Sequence, residues 1–300
     1  MTAHEHPTTS LAGPTADGVQ PLVAVVGATG KTGRRVAARL AAAGIPVRPL
    51  SRSTEIRHDW DDPTTWAPAV AGADAVYVAV APDLAAPGIP ETVAEFARVA
   101  RSQGVRRLVL LSGRGEPEAE RAEQLVADAF PSGTVLRCAW FDQNFTEGFL
   151  LDPVLDGVAL LPVSDAVEPF VDLEDVAEVA VAALTQEGHE GRTYELTGPR
   201  LLTFGAALAE IGAVSGRDVR LQTITGDEFA GGLTAAGLPA DIVDLMGYLF
   251  SEILDGRNAS LAHGVHEVLG REPRDFTEFA RREAAAWAQT AASAPLPGVH

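Results

Sequence analysis

Short apolar runs alternate with helical patterns along the first half of the chain. Residues 22–26 are typical of a buried parallel strand, and residues 34–43, rich in alanine and arginine, favour a helix behind it. The same alternation predicts strands at 45–50, 75–80, 107–111 and 134–139, and helices at 64–70, 90–103 and 117–130. Such repeated units form parallel sheets with right-handed crossovers. We therefore predict an α/β fold, a Rossmann-type doubly wound parallel sheet.

The hydrophobic pattern becomes looser after residue 148. Short strands are predicted at 158–161, 168–171, 192–196 and 219–224, and helices at 173–184, 204–214, 227–236, 240–254 and 275–291. We expect residues 21–150 to form the Rossmann core and residues 151–292 to form a smaller α/β substrate lobe, interleaved with the core. Residues 1–20 are expected to be a disordered tail and residues 293–300 a frayed one.

Three glycines at three-residue spacing, Gly27, Gly30 and Gly33, follow the first predicted strand. Gly27 would allow a sharp turn, Gly30 would let the backbone approach a pyrophosphate, and Gly33 would let the helix lie close to the sheet. Backbone N–H groups at the start of that helix favour an anion. The loop is not a P-loop, because Val25 stands where that motif requires its first glycine. The pattern predicts dinucleotide binding; a tight structural turn is the alternative.

The end of the second predicted strand indicates which dinucleotide is bound. An acidic residue there would bind the ribose 2′-hydroxyl of NAD, whereas an arginine suits the 2′-phosphate of NADP. Arg52 stands between Ser51 and Ser53, and no carboxylate follows before Glu55. This favours NADP(H) over NAD(H), the alternative being that Arg52 is a solvated loop arginine.

Other strand ends supply further candidate contacts. Asp59 and Trp60 could contact the adenine, although a loop carboxylate and a packed tryptophan explain them almost as well. The small residues Ala79, Val80 and Ala81 would let the ribose and nicotinamide pass close to the chain. In an open α/β sheet, ligands lie beyond the carboxyl ends of the strands, so we expect these segments to converge.

Composition narrows the function classes. The formal charge of −18 disfavours a nucleic-acid interface, which needs clustered lysine and arginine. The single cysteine, Cys138, excludes an internal disulfide, fits a reducing cytoplasm and lies in an apolar run that predicts burial. No apolar stretch is long enough to span a membrane, and the first residues lack a signal-peptide pattern. We expect a cytoplasmic protein.

Five features together carry a resemblance to a known family: the glycine loop from Gly27 to Gly33, Arg52, Ser112-Gly113, and the segments 140–145 and 169–177. Over residues 21–285 the chain resembles the NmrA-like atypical short-chain dehydrogenase/reductase proteins. The glycine loop with its Lys-Thr-Gly ending also looks like that of the festuclavine and agroclavine dehydrogenases. The resemblance implies a Rossmann fold that binds NADP(H).

The resemblance also implies roles for individual residues. The pyrophosphate would lie on Gly27, Thr29, Gly30, Lys31, Thr32 and Gly33, and the 2′-phosphate on Arg52. Ala79, Val80, Ala81 and Ser112 would line the nicotinamide, and Trp140, Phe141 and Asn144 would border both nicotinamide and substrate. The segment 169–177 would link the two lobes, with Asp172 and Asp175 capping its helix.

The Tyr-x-x-x-Lys pair of ordinary short-chain dehydrogenases is absent from this sequence. Lys31, in the glycine loop, is the only lysine, and the three tyrosines are followed four residues later by Ala81, Gly198 and Glu252. Alcohol oxidation by a tyrosinate is therefore disfavoured. Ser112, Asn144 or water would have to donate a proton.

These features favour an NADPH-dependent reductase of a small organic acceptor such as an imine, a quinone or an activated alkene. The alternative is a non-catalytic NADP(H) sensor that acts through a protein partner, and an isomerase or lyase is a third hypothesis. We expect no metal, because the spacing of His263, His266 and Glu267 is not that of a zinc protease. Ser112 does not lie in the Gly-x-Ser-x-Gly motif that presents the nucleophilic serine of hydrolases, so a hydrolase triad is disfavoured. The predicted helices 117–130 and 240–254 could pair across a two-fold axis or pack inward, so both a monomer and a homodimer are compatible with the sequence.

Overall fold

The computed structural model describes residues 21–163 and 165–288. The tails predicted at residues 1–20 and 293–300 lie outside these residues. Contacts divide the described chain into two compact units. The first comprises residues 21–137, 174–195 and 264–271, and the second comprises residues 138–163, 165–173, 196–263 and 272–288. Residues 138–150, which we expected in the Rossmann core, are grouped with the second unit.

The secondary structure alternates as the hydrophobic pattern predicts. The strands are β1 (Val23–Val26), β2 (Val47–Leu50), β3 (Ala75–Val78), β4 (Arg107–Gly113), β5 (Thr134–Cys138), β6 (Val158–Leu161), β7 (Val167–Glu168), β8 (Thr193–Leu196), β9 (Leu202–Thr203) and β10 (Arg220–Thr223). The helices are α1 (Lys31–Ala42), α2 (Trp66–Val70), α3 (Ile89–Ser102), α4 (Pro117–Ala129), α5 (Asn144–Glu147), α6 (Leu151–Asp156), α7 (Leu173–Thr185), α8 (Phe204–Ser215), α9 (Gly226–Ala235), α10 (Ala240–Tyr248), α11 (Gly264–Leu269), α12 (Phe276–Arg282) and α13 (Ala284–Trp287). A 3-10 turn at Pro63–Thr65 precedes α2, and a π-helical turn at Leu249–Ile253 follows α10.

A six-stranded sheet with the order β2-β1-β3-β4-β5-β8 organises the first unit. Strand β1 pairs in parallel with both β2 and β3, so that Val23 lies opposite Val47 and Ala75. Strand β3 pairs in parallel with β4. All residues of β1 are buried, as expected for a parallel strand covered on both faces. The predicted Rossmann-type α/β fold is confirmed.

Helices α2, α3 and α4 pack onto the sheet through one apolar cluster. Phe96 of α3 is fully buried in it, together with Trp66 of α2 and Val126 of α4. The apolar face that the sequence predicts on α3 is buried throughout, at Val93, Phe96, Ala97 and Ala100. Burial of this face fixes the helix against the sheet and holds the loops after β3 and β4 in place.

The second unit has its own apolar core, in which seven buried phenylalanines take part. Strands β6 and β10 pair in parallel and β7 and β9 pair antiparallel. The ring of Phe170 lies 5.7 Å from Phe145, 5.1 Å from Phe204 and 5.8 Å from Phe276, centroid to centroid. The indole N–H of Trp287 donates to the carbonyl oxygen of Phe145 at 2.8 Å, which ties the end of α13 to this core.

Three predicted elements differ from the observed ones for local reasons. The strand predicted at 168–171 is only β7, and Val171 instead forms an isolated parallel bridge with Phe141. The helix predicted at 240–254 changes from α to π at Leu249. The helix predicted at 275–291 is interrupted at Glu283, between α12 and α13. In each case the apolar pattern continues past the point where the element ends or changes. Hydrophobic periodicity indicates which residues are buried, and it does not indicate which backbone hydrogen bonds they form.

Candidate functional site

The glycine loop joins β1 to α1 as predicted. Gly27 follows β1 with φ +75°, a conformation that suits glycine, and its N–H donates to the carbonyl oxygen of Leu50 at 3.0 Å. The N–H of Gly30 donates back to the carbonyl oxygen of Gly27 at 2.9 Å, which closes the turn. Helix α1 starts at Lys31, and Gly30, which has no side chain, occupies its N-cap. The N-cap residue of α1 therefore supplies no side-chain cap to the first turn.

Close approach of the backbone explains two of the three glycines. A β-carbon at residue 33 would collide with the carbonyl oxygen of Gly27 and lie 3.0 Å from the Cα of Ala28. A β-carbon at residue 27 would lie 2.9 Å from the carbonyl oxygen of Ala79. The structure thus brings the glycine loop together with the end of β3. Thr29 and Gly30 are exposed, whereas Thr32 is buried.

The loop after β2 presents hydroxyl groups around Arg52. The side chain of Ser51 lies 3.1 Å from the hydroxyl oxygen of Ser53 and also accepts the N–H of Ser53 at 3.1 Å. Arg52 between them is exposed, and within the described part of the chain it has no ion-pair partner. An exposed guanidinium beside two hydroxyls can hold a phosphate group.

The segment after Arg52 ends in an aromatic cluster. The ring of Trp60 lies 4.5 Å from His58 and 5.3 Å from Phe96. Burial lowers the pKa of His58 to about 4, so this ring is neutral at pH 7. The N–H of Asp61 holds the pKa of Asp59 below its ordinary value, and Arg57 adds to this effect. Contacts of Asp59 and Trp60 with an adenine stay a prediction.

Ser112 lies at the carboxyl end of β4, inside a polar network that the sequence analysis did not identify. Its hydroxyl donates to Oε1 of Glu123 at 2.6 Å, and the Nε of Arg137 donates to the same oxygen at 3.1 Å. Hydrogen bonding to Glu123 raises the pKa of Arg137. Glu123 belongs to the buried stripe of α4 with Ala119, Ala122 and Val126. In the sequence, the signal for this network is a glutamate at a position that belongs to the apolar face of a predicted helix.

Trp140, Phe141 and Asn144 belong to the second unit. The ring of Trp140 lies 5.1 Å from Phe250 and 5.6 Å from Phe204. Phe141 forms the bridge with Val171, and Asn144 is the first residue of α5. These contacts fix the three residues in one segment, and their predicted contact with a nicotinamide stays a prediction.

The second unit contains a cavity of about 600 Å³. Its apolar wall includes Ile224, Phe250 and Leu254, and the carboxylates Asp165 and Asp255 also line it. Phe250 and Leu254 come from the π-helical turn and the residue after it. Because Phe250 also packs against Trp140, the cavity wall continues into the segment predicted to border the nicotinamide.

The two acids of the segment 169–177 are held by arginines. Asp172 is fully buried, accepts the side-chain N–H of Gln143 at 2.7 Å and accepts a hydrogen bond from Arg282 at 2.8 Å. Asp175 is also fully buried and accepts one from Arg271 at 2.7 Å. Such pairs support a structural role for this segment.

Cys138, the single cysteine, is buried. Burial raises the pKa of the Cys138 thiol, consistent with the predicted interior position. Among residues 21–163 and 165–288, no cluster of three histidine, cysteine or acidic side chains could hold a metal ion. Within the same residues, no helix is both long and apolar enough to cross a bilayer.

Comparisons with known proteins identify related sequences. A family model described as NAD(P)H-binding matches residues 27–139. The chain is 35% identical to the (4-alkanoyl-5-oxo-2,5-dihydrofuran-3-yl)methyl phosphate reductase of Streptomyces griseus, over 89% of this chain and 99% of that protein. It is 32% identical to the agroclavine dehydrogenase of Claviceps fusiformis, over 88% of this chain and 98% of that protein.

The fold is also that of a solved reductase. The structure of the Citrobacter triphenylmethane reductase complexed with NADP(H) matches with a TM-score of 0.74 and 21% identity, over 87% of this chain and 99% of that one. The glycine loop, the sheet order and the extent of these matches lead to one assignment. The chain belongs to the family of NAD(P)H-binding oxidoreductases that includes the Streptomyces griseus reductase and the agroclavine dehydrogenase, and it has the fold of the NmrA-like atypical short-chain dehydrogenase/reductase proteins.

Proposed function

We propose that this protein is an NADPH-dependent reductase that transfers a hydride to a small organic acceptor such as an imine, a quinone or an activated alkene. The observation that carries the proposal is the packing of Gly27 and Gly33 at the start of α1. Side chains at these positions would fill the space against the β1–α1 turn. The close approach brings a glycine turn to the N-terminus of α1, an arrangement that is suited to a pyrophosphate.

The chain's own residues would divide the work of binding the dinucleotide. Gly27, Thr29, Gly30, Lys31, Thr32 and Gly33 would hold the pyrophosphate. Arg52 would bind the 2′-phosphate, which makes NADPH the preferred form, and Asp59 and Trp60 would contact the adenine. Ala79, Val80, Ala81 and Ser112, with Trp140 and Phe141, would line the nicotinamide. Bound NADPH would supply the hydride.

The acceptor would bind in the cavity of the second unit. Its volume of about 600 Å³ suits a small organic molecule, and Phe250 and Ile224 offer apolar surface to a flat one. The Streptomyces griseus relative is by name a reductase of an unsaturated oxo-dihydrofuran, which is an activated alkene. Acceptors of this kind are electrophilic, so they need little acid catalysis and suit a site without a Tyr-x-x-x-Lys pair.

The missing pair equally suits a sensor that binds NADP(H) and reports it to a protein partner. Turnover separates the two functions. Purified protein is titrated with NADPH and NADH while tryptophan fluorescence and thermal unfolding are followed. It is then mixed with NADPH and a panel of quinones, imines and enones, and the absorbance of the reduced dinucleotide is recorded. A reductase consumes NADPH with at least one acceptor class. Tight binding without consumption would favour the sensor, and no binding would contradict both.

A further inference from the structure

The loops that follow β3 and β4 in the first unit are joined by two acidic side chains. Asp83 lies in the loop after β3, and Glu116 lies between β4 and the first residue of α4. The two carboxyl groups form a hydrogen bond with each other. Residues 79–81, which begin the first loop, and Ser112, near the end of β4, are predicted to line the nicotinamide. The hydrogen bond therefore connects two segments of the candidate cofactor site.

The position of Glu116 depends on Gly113, the last residue of β4. A β-carbon at residue 113 would collide with Oε1 of Glu116, so this carboxyl group lies directly against the backbone that follows Ser112. Only 7% of Glu116 is exposed. Asp83 is partly buried, and the N–H of Ala85 donates to its Oδ1 at 2.7 Å. Each acid is thus fixed to its own loop, and the hydrogen bond between them sets the spacing of the two loops.

Two carboxyl groups can form a hydrogen bond only if one of them carries a proton, because a carboxylate accepts and does not donate. Oε2 of Glu116 is buried and receives no hydrogen bond from an amide, hydroxyl or guanidinium of the described residues. A negative charge on Glu116 would therefore be poorly compensated. Asp83 already accepts the N–H of Ala85, which stabilises its carboxylate. Glu116 is therefore the donor and Asp83 the acceptor.

The pKa values of the two acids agree with this assignment. Burial, followed by the negative charge of Asp83 and the hydrogen bond to it, raises the pKa of Glu116 to about 8. Burial also raises the pKa of Asp83, although the hydrogen bonds from Ala85 and Glu116 oppose this rise. At pH 7 the pair therefore holds one proton, which lies on Glu116, and one negative charge.

The other charged groups of the elements around the pair lie at the surface or are engaged elsewhere. Arg114, on the loop after β4, donates to Glu195 at 3.1 Å. Arg121 of α4 pairs with Glu91 of α3 and with Glu118 of its own helix. The acids in the first turns of α3 and α4 are exposed: Glu91, Glu118 and Glu120. The two acids of the pair therefore titrate with each other and not with an arginine.

We propose that Asp83 and Glu116 share one proton, and that this carboxyl bridge holds the loops after β3 and β4 at the spacing that the nicotinamide half of NADPH requires. The proposal rests on the proposed function. Both acids are positioning residues, which act through residues 79–81 and Ser112. When the proton passes to water, two carboxylates in a buried contact repel each other, and the loops lose this spacing. The affinity for NADPH should therefore fall as the pH rises through about 8.

Wild type and three variants test the bridge: Glu116→Gln, Glu116→Ala and, as a matched control, Glu118→Gln, which changes an exposed acid in the first turn of α4. The Kd for NADPH is measured by fluorescence titration from pH 7 to pH 9.5. In wild type and Glu118→Gln it should rise by at least about fivefold over this range. In Glu116→Gln it should stay constant, because an amide can donate to Asp83 at every pH. Glu116→Ala, which has no donor, should bind weakly throughout.

This pattern separates positioning from a merely structural role. At pH 9.5 Glu116→Gln should bind NADPH more tightly than wild type, a gain that a substitution harmful only to packing would not give. A wild-type Kd that does not change between pH 7 and pH 9.5 would overturn the proposal, as would a Kd of Glu116→Gln that rises as much as that of wild type. Absence of NADPH binding at every pH would instead contradict the proposed function.

A second readout needs no dinucleotide and so tests the shared proton by itself. In the free protein, the infrared band of a protonated carboxyl should be present at pH 6.5 and fade as the pH passes about 8. The band should be absent from Glu116→Gln and present in Glu118→Gln. In Asp83→Asn it should fade at a lower pH, because the charge of Asp83 no longer opposes ionisation of Glu116. A band that is unchanged in Glu116→Gln, or that fades at the wild-type pH in Asp83→Asn, would overturn the proposal.

Discussion

The hydroxyl of Ser112 donates a 2.6 Å hydrogen bond to the carboxylate of Glu123, and this bond joins the end of β4 to the buried face of α4. Glu123 is held in turn by Arg137 of β5. The three side chains therefore anchor α4 to two neighbouring strands of the sheet.

Removing the charge of Glu123 tests this anchor. Glu123→Gln leaves Arg137 without its main partner, and hydrogen bonds to charged groups contribute about 1.5–3 kcal/mol. We expect the free energy of unfolding to fall by about 1–3 kcal/mol in urea titrations. Glu120→Gln is the control, since Glu120 is exposed and its oxygen lies 3.8 Å from Arg137; it should change stability by less than about 0.5 kcal/mol. Equal losses for the two variants would contradict this account.

The contact between residues 27 and 33 predicts a second result. In Gly33→Ala the new methyl group meets the backbone of Gly27 and Ala28, which cannot move aside as a flexible side chain would. We expect a loss of at least about 1–3 kcal/mol of stability and a large loss of NADPH affinity. Gly232→Ala, inside α9 with open space around it, should be neutral or stabilising by about 1 kcal/mol. Unfolding curves and NADPH titrations of both variants measure the two effects, and equal behaviour of the two variants would contradict the prediction.

The sequence pattern identified the sheet because burial dominates there. Residues 23–26 are apolar without interruption, and the structure buries all four as β1. The start of α1 was placed at residue 34, too late by three positions, because Gly33 favours a loop by propensity. In the structure Gly33 lies inside the first turn, since only a glycine can pack against Gly27. Tertiary crowding overrides propensity at that point.

The polar partners could not be predicted in the same way. Asp172 and Arg282 are separated by 110 positions, and Ser112 and Glu123 by 11, so no local period relates them. The burial of Glu116 depends on the missing side chain of Gly113, a relation of shape that a hydrophobic pattern does not encode. The candidate pyrophosphate loop was found because its chemistry lies in consecutive residues.

Arg52 gives a prediction about cofactor preference. If its guanidinium binds the 2′-phosphate, Arg52→Ala removes a charge-assisted contact of about 1.5–3 kcal/mol. The Kd for NADPH should rise by about 10- to 150-fold, and the Kd for NADH should not change. Arg98→Ala removes an equal charge from the exposed side of α3, where Arg98 pairs with Glu95. If this control weakened NADPH binding as much, the effect would be one of net charge. Fluorescence titration of wild type and both variants with NADPH and with NADH gives the six dissociation constants.

The second unit contains an ion pair with a predictable pH dependence. Arg200 donates to both carboxylate oxygens of Asp275, at 2.6 and 2.9 Å, and this holds the pKa of Asp275 well below its ordinary value. A depressed pKa contributes stability that is fully present above the unfolded-state pKa, about 4, and is lost as the pH falls below it. Asp275→Asn should therefore be less stable than wild type at pH 6, with a difference that shrinks toward pH 2. Asp218→Asn, at the exposed pair with Arg220, should show a much smaller difference in the same urea series.

Glu116 should produce the opposite pH dependence. Its pKa is raised from 4.5 to about 8, so the folded state holds a proton that the unfolded state releases between these values. The contribution of this group to stability is therefore most favourable below pH 4.5 and decreases as the pH rises toward 8, by about 1.4 kcal/mol for each pH unit at most. Glu116→Gln lacks this titration, so its stability relative to wild type should increase steadily from pH 5 to pH 8. Glu118→Gln should follow wild type throughout. A constant difference between Glu116→Gln and wild type over that range would show that Glu116 is already ionised at pH 5 in the folded protein, which would contradict a raised pKa.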